Sequence, residues 1–157
     1  MAGLEPKGFT WVITGRLAVS ERIGGYGFQH RRVRREEEVV WLLAEGVNTV
    51  FSLLPGNQNQ AAYEGAGLRY FNHPVPPDLD PHDAPGMFAA LDEALSRRGA
   101  CVLVHRDLID DTVVGLLGGY LVYAGLVKDP VMATSIIQEI TGRPLGPEGR
   151  RLIPVPG

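Results

Sequence analysis

Cysteine is nearly absent from this sequence: Cys101 is the only one in 157 residues. One thiol excludes an intrachain disulfide framework and suits a reducing compartment. No apolar run is long enough to span a bilayer, and no signal peptide or lipidation motif is recognisable, so a cytoplasmic chain is expected. Strong charge of either sign is also missing. A formal net charge of −3 gives no electrostatic case for nucleic acid or for a membrane surface as partner. There is no internal repeat and no low-complexity segment. The remainder is ordinary, with 45 % apolar and 21 % charged residues in a length that fits a single domain over 1–157.

The stretch Cys101 to Gly125 organises the rest. Cys101-Val102-Leu103-Val104 is continuously apolar, as a central parallel strand covered on both faces would be. His105 to Asp111 is a polar loop. From Thr112 the apolar positions Val113, Leu116, Leu117, Tyr120, Leu121 and Ala124 follow helical spacing. Asp110 or Asp111 can cap that helix. A strand that delivers a tight loop onto a helix N-terminus is anion-binding geometry.

Around it, strands are expected at Phe9–Thr14, within Gly15–Ser20, at Val47–Leu54 and at Leu68–Phe71. Helices are expected at Glu36–Glu45, Gln58–Gly65, Met87–Arg98, Asp129–Thr141 and Pro147–Leu152. Glu36 to Glu38 would complement the dipole of the first, and Gly46 would end it. In the fourth, Asp129 caps, Pro130 fits the first turn, and Val131, Ile136, Ile137 and Ile140 face inward. Residues 153–157 are read as extended. Asn72 to Pro85 holds five of the twelve prolines and reads as an ordered loop. Alternating strands and helices give an α/β fold: a central, mostly parallel sheet flanked by helices.

Several of these segments resemble the cysteine-based protein phosphatases of the small dual-specificity type. Trp11-Val12-Ile13, Gly15-Arg16-Leu17-Ala18 is similar to the family's opening. Val102 to His105 and Thr112 to Val122 are similar to the strand and helix around its signature, His-Cys-x-x-Gly-x-x-Arg-Ser/Thr. Ile140-Thr141-Gly142-Arg143-Pro144 resembles its closing turn. The resemblance implies the dual-specificity phosphatase fold, a thiolate that attacks phosphorus, an Arg that grips the phosphoryl oxygens and an Asp that protonates the leaving group.

The signature loop is degenerate. Read without gaps, Arg106 stands at the family's nucleophilic Cys, Ile109 at the loop Gly and Thr112 at the phosphate-gripping Arg. Cys101 lies roughly 15 Å from the nucleophile position by strand geometry and reads as a buried structural thiol. His73 to Asp80 resembles the acid loop, with Asp78 the best match to a vestigial general acid and Asp80 and Asp83 behind it. The plain alternative for these Asp residues is turn and cap chemistry. In the loop His105, Arg106, Asp107, Asp110, Asp111 and Thr112, the carboxylates stand where a phosphate dianion would sit, so phosphate binding is expected to be weak or absent. His105 reads as a hydrogen-bonded support beneath the loop. No cofactor or metal is called for: an oxygen-rich site of Asp78, Asp107, Asp110 and Asp111 could suit Mg²⁺ or Ca²⁺, but the spacing matches no known metal loop.

A competing pattern is His105-Arg106-Asp107-Leu108, which matches the start of a protein-kinase catalytic loop. That loop needs Asn five residues after its Asp, and position 112 is Thr. The expectation is therefore a catalytically inactive pseudophosphatase that acts as a binding or regulatory module for a protein partner. The alternative is an active phosphate-ester hydrolase using Asp/His or metal-assisted chemistry. The basic stretch Arg31 to Arg35, followed at once by Glu36 to Glu38, reads as solvated charge or as a docking site.

Overall fold

Strands with two apolar faces need cover on both sides, and Leu17–Ser20, Thr49–Ser52 and Val102–His105 are buried at every position. The computed structural model describes residues 3–154. The last positions of the expected extended tail, 155–157, lie outside them. The chain divides into two compact units, one holding residues up to Val75 with Ala94–Ile109, the other Pro76–Glu93 with residues from Asp110 onward.

The first unit contains the whole sheet. Its strands are Thr10–Ile13 (β1), Leu17–Ser20 (β2), Thr49–Ser52 (β3), Arg69–Asn72 (β4) and Val102–His105 (β5). Their order is β1-β2-β5-β3-β4. Only β1 runs antiparallel, against β2, and the register shifts between Trp11 and Ile13. All other pairings are parallel. The helices Arg32–Ala44 (α1) and Gln60–Gly65 (α2) belong to the same unit. Val39 and Leu42 of α1 and Tyr63 of α2 form one apolar cluster with Ala18, Val50 and Leu103 of the sheet.

Helix α1 begins at Arg32, four positions before the expected start, so the basic run forms its first turn. No acidic residue stands in that turn, and Glu36 to Glu38 are not its dipole partners. Tertiary contacts outweigh this unfavourable end charge. Glu38 is buried; it accepts the Gly24 N–H at 2.7 Å and the Arg34 Nε–H at 2.8 Å, tying the helix to the glycine turn before it. The other end follows the sequence. Gly46 takes φ +94°, and Val47 N–H reaches back to the Leu42 carbonyl at 3.0 Å in a Schellman closure.

The second unit is helical. Ala84–Ser96 (α3) belongs to it as far as Glu93, and Asp111–Tyr123 (α4), Pro130–Thr141 (α5) and Pro147–Arg150 (α6) lie wholly within it. Residues Thr112 to Leu121 of α4 are all buried, and Gly115, Gly118 and Gly119 interrupt its apolar surface. A Cβ on Gly115 would overlap the backbone of Gly149, and one on Gly119 would overlap the Phe88 ring and the Leu152 carbonyl. These glycines let α4 pack against backbone. Helix α5 starts as the sequence indicates, with Asp129 accepting the Val131 N–H at 2.9 Å and Pro130 in the first turn. Val131 does not face inward: it is 76 % exposed, and the buried stripe is Ala133 and Ile137. The inward face begins two residues later than expected, and Val131 falls on the other side of the first turn.

Candidate functional site: the loop after the fifth strand

The strand β5 ends at His105, which lies in register between Ser20 of β2 and Ser52 of β3. The imidazole has no solvent exposure. Its Nε2 is 3.3 Å from the Tyr63 hydroxyl and its Nδ1 is 3.4 Å from the Arg106 carbonyl oxygen. Burial lowers its pKa to about 4; the contact to the Arg106 carbonyl opposes that shift and the nearby Arg22 charge adds to it. A neutral imidazole serves as a strut under the loop. It is not a poised acid or base at neutral pH.

Asp107 turns toward the segment after β2. Its carbonyl accepts the Arg22 N–H at 3.2 Å, and its Oδ1 lies 3.6 Å from Arg22 Nη1. Arg106 is half-buried and Ile109 is buried. These residues, with His105, belong to the first unit.

Asp78, Asp110, Asp111 and Thr112 belong to the second unit. Asp110 is the N-cap of α4, and its Oδ1 accepts the Val113 N–H at 3.0 Å. Asp111 does a different job. Its Oδ1 accepts the Gly146 N–H and its Oδ2 accepts the Gly149 N–H, each at 2.7 Å, which pins the turn into α6. The buried Thr112 hydroxyl donates to the Pro77 carbonyl at 2.5 Å. The next residue, Asp78, is exposed in a turn. Asp80 caps the short 3-10 turn at Pro81–Asp83, accepting the His82 N–H at 2.9 Å; that bond holds its carboxyl below the ordinary range.

The sequence placed three carboxylates together in an anion site. The structure separates their roles: Asp107 faces Arg22, Asp110 caps α4, and Asp111 holds the 146–149 turn. Among the described residues, no group of three or more His, Cys, Asp or Glu side chains is placed to hold a metal ion. Cys101 is buried ahead of β5, and burial raises its thiol pKa, which disfavours a thiolate. Sequence reading missed Tyr63 as the partner of His105 and Arg22 as the partner of Asp107. It also missed the Asp111 anchor. Each pairing spans more than thirty residues, and no local spacing announces it.

No protein-family model matches the chain, and no curated protein matches it in sequence. Solved structures do match in three dimensions. A kinase-associated phosphatase with serine in place of its catalytic cysteine superposes with a TM-score of 0.75 at 14 % identity, covering 94 % of this chain and 92 % of that one. The core catalytic domain of the PP-IP phosphatase SIW14 from S. cerevisiae gives 0.67 at 13 % identity, over 97 % and 87 %. Human DUSP28 with one substitution gives 0.62 at 18 % identity, over 94 % and 90 %. The chain has the fold of the dual-specificity and tyrosine phosphatases.

Proposed function

We propose that this chain is a pseudophosphatase: a single phosphatase-fold domain that binds a protein partner and carries out no thiolate chemistry. The observation behind this reading is the Asp110–Val113 hydrogen bond. In the phosphatase signature as this sequence resembles it, the N-terminal donors of that helix serve a phosphoryl group. Here the chain's own carboxylate takes one of them, and its charge repels a second anion. The position of the nucleophile holds Arg106, and Thr112, at the position of the phosphate-gripping Arg, spends its hydroxyl on Pro77. Covalent attack on phosphorus and charge stabilisation in the transition state therefore both lack their groups. Phosphate binds weakly or not at all at residues 105–112. The expected setting is cytoplasmic; among the described residues no helix is long and apolar enough to cross a membrane.

The test is turnover of an aryl phosphate with EDTA and with added Mg²⁺ or Mn²⁺. The expected rate is that of buffer in both. Turnover that Asp78→Asn or Asp107→Asn abolishes would replace this reading with the hydrolase one. Activity lost only in Cys101→Ser would restore a thiol mechanism.

A further inference from the structure

The starts of the parallel strands in the first unit meet a concentration of one charge. Arg69, Arg97 and Arg98 line a cleft of about 290 Å³ together with Asn48, Gly67 and Ala100. No carboxylate lines it. Among the described residues, none of these three guanidinium groups has an acidic side chain within ion-pairing distance. Elsewhere in this unit Arg22 faces Asp107, Arg32 faces Glu36 and Arg34 faces Glu38, while Arg16, Arg31 and Arg35 donate to carbonyl or amide oxygens. The chain as a whole is acidic, with net charge −3, so general basicity does not account for the cluster.

The frame around the cleft is fixed. Asn48 Nδ2 donates to the Gly99 carbonyl at 2.8 Å, and Asn48 Oδ1 accepts the Cys101 N–H at 2.9 Å. The Asn48 carbonyl accepts the Arg69 N–H at 2.9 Å. One residue thus joins the chain entering β4 to the chain entering β5. The Arg69 guanidinium lies 5.8 Å from the centre of the Phe71 ring, which restrains its stem. Arg97 and Arg98 follow α3 and complement the end of its dipole. Arg69 starts a strand, so no helix dipole explains its place.

We propose that this cleft binds a small anion carrying phosphoryl groups, at the end of the strands opposite His105. Guanidinium forks match phosphoryl oxygens in bidentate pairs, and three of them offer more donors than one phosphate accepts. Two linked phosphoryl groups fit that donor set, with diphosphate the simplest example. The volume sits at the lower bound for small-ligand clefts, roughly 300 Å³, which admits such a group without a bulky remainder. The same chemistry is offered by a free phosphorylated compound and by the headgroup of a phospholipid. This site shares no residue with the proposed pseudophosphatase loop.

Calorimetric titration of the full chain with diphosphate tests the proposal, beside sedimentation with phosphatidylcholine vesicles made with and without phosphatidic acid. Saturable diphosphate binding is expected. Arg69→Ala and the pair Arg97→Ala with Arg98→Ala should each weaken it about tenfold or more. Arg69→Lys keeps the charge but loses the fork, and should fall between Arg69→Ala and the parent. Arg31→Ala should bind as the parent does. Capture by phosphatidic acid vesicles that the same arginine variants abolish also supports the site and identifies a headgroup as the source. Melting curves of each variant keep a folding defect apart from a binding defect. Binding to neither probe overturns the proposal. So does diphosphate binding that survives loss of all three arginines. A lower melting temperature in the Arg97/Arg98 variant with no diphosphate binding in the parent would reduce those arginines to dipole partners.

Discussion

The Tyr63 hydroxyl oxygen lies 3.3 Å from Nε2 of His105, and neither side chain meets solvent. Asn59 Nδ2 donates to the same phenol oxygen at 3.4 Å. With Nδ1–H directed at the Arg106 carbonyl, Nε2 is the acceptor and Tyr63 the donor. Burial raises the Tyr63 pKa and lowers that of His105, so both groups stay neutral and the relay keeps one polarity.

The pair sets a pH dependence. The folded pKa of His105 is about 4, against about 6.5 in the unfolded chain. Between those values the unfolded chain binds a proton that the native state refuses. The stabilisation is full above pH ~6.5, falls as the pH drops toward 4, and levels off below that. The loss is about 1.4 kcal/mol per pH unit, on the order of 3 kcal/mol across the window. Urea unfolding of the parent and of His105→Gln at pH 7 and 4.5 isolates it. The variant should start less stable and lose less on acidification. Equal losses in the two proteins would remove His105 as the source.

Asp110 and Asp111 are neighbours with separable effects. Asp110→Ala removes a cap and should lower stability by about 0.5–2 kcal/mol. Asp111→Ala strands two N–H donors that now bond a charged acceptor, and should cost about 2–3 kcal/mol. Asp111→Asn should recover only part of this, because one of its two terminal atoms is a donor facing a donor. Chemical denaturation of the three variants gives the order. Asp110→Ala falling below Asp111→Ala would contradict the anchoring role.

Alanine is the better helix former by about 1 kcal/mol, yet Gly115→Ala should destabilise. The added methyl would meet the Gly149 backbone, which cannot rotate away. A loss of about 1–3 kcal/mol is expected, with Gly119→Ala similar. A raised melting temperature in Gly115→Ala would show that the α4–α6 approach is looser than described.

Periodicity carried most of the fold. The buried run 101–104 and the helical spacing after Thr112 identified β5 and α4 because each pattern is local. Helix α1 was misplaced at its start because Glu38 bonds to Gly24, a contact across fourteen residues, and that bond outweighs the end charges. The loop was legible in its composition and in its helix cap, which is local and falls to Asp110, but not in the wiring of Asp107 and Asp111. Asp107, Asp110 and Asp111 lie within five positions of one another, but their partners are Arg22, Val113 and the 146–149 turn. For Asp107 and Asp111 the side-chain direction depends on which distant donor arrives, and a single sequence does not encode that by spacing.

The two border strands of the sheet guard it against growth. In β1 the register shift between Trp11 and Ile13 breaks the regular row of backbone donors and acceptors that a further strand would need. In β4 the exposed Arg69 adds a charge to a border strand only four residues long. A second copy of the chain therefore finds no flat, uncharged ribbon to extend, and crowding alone should not draw the folded protein into fibrils.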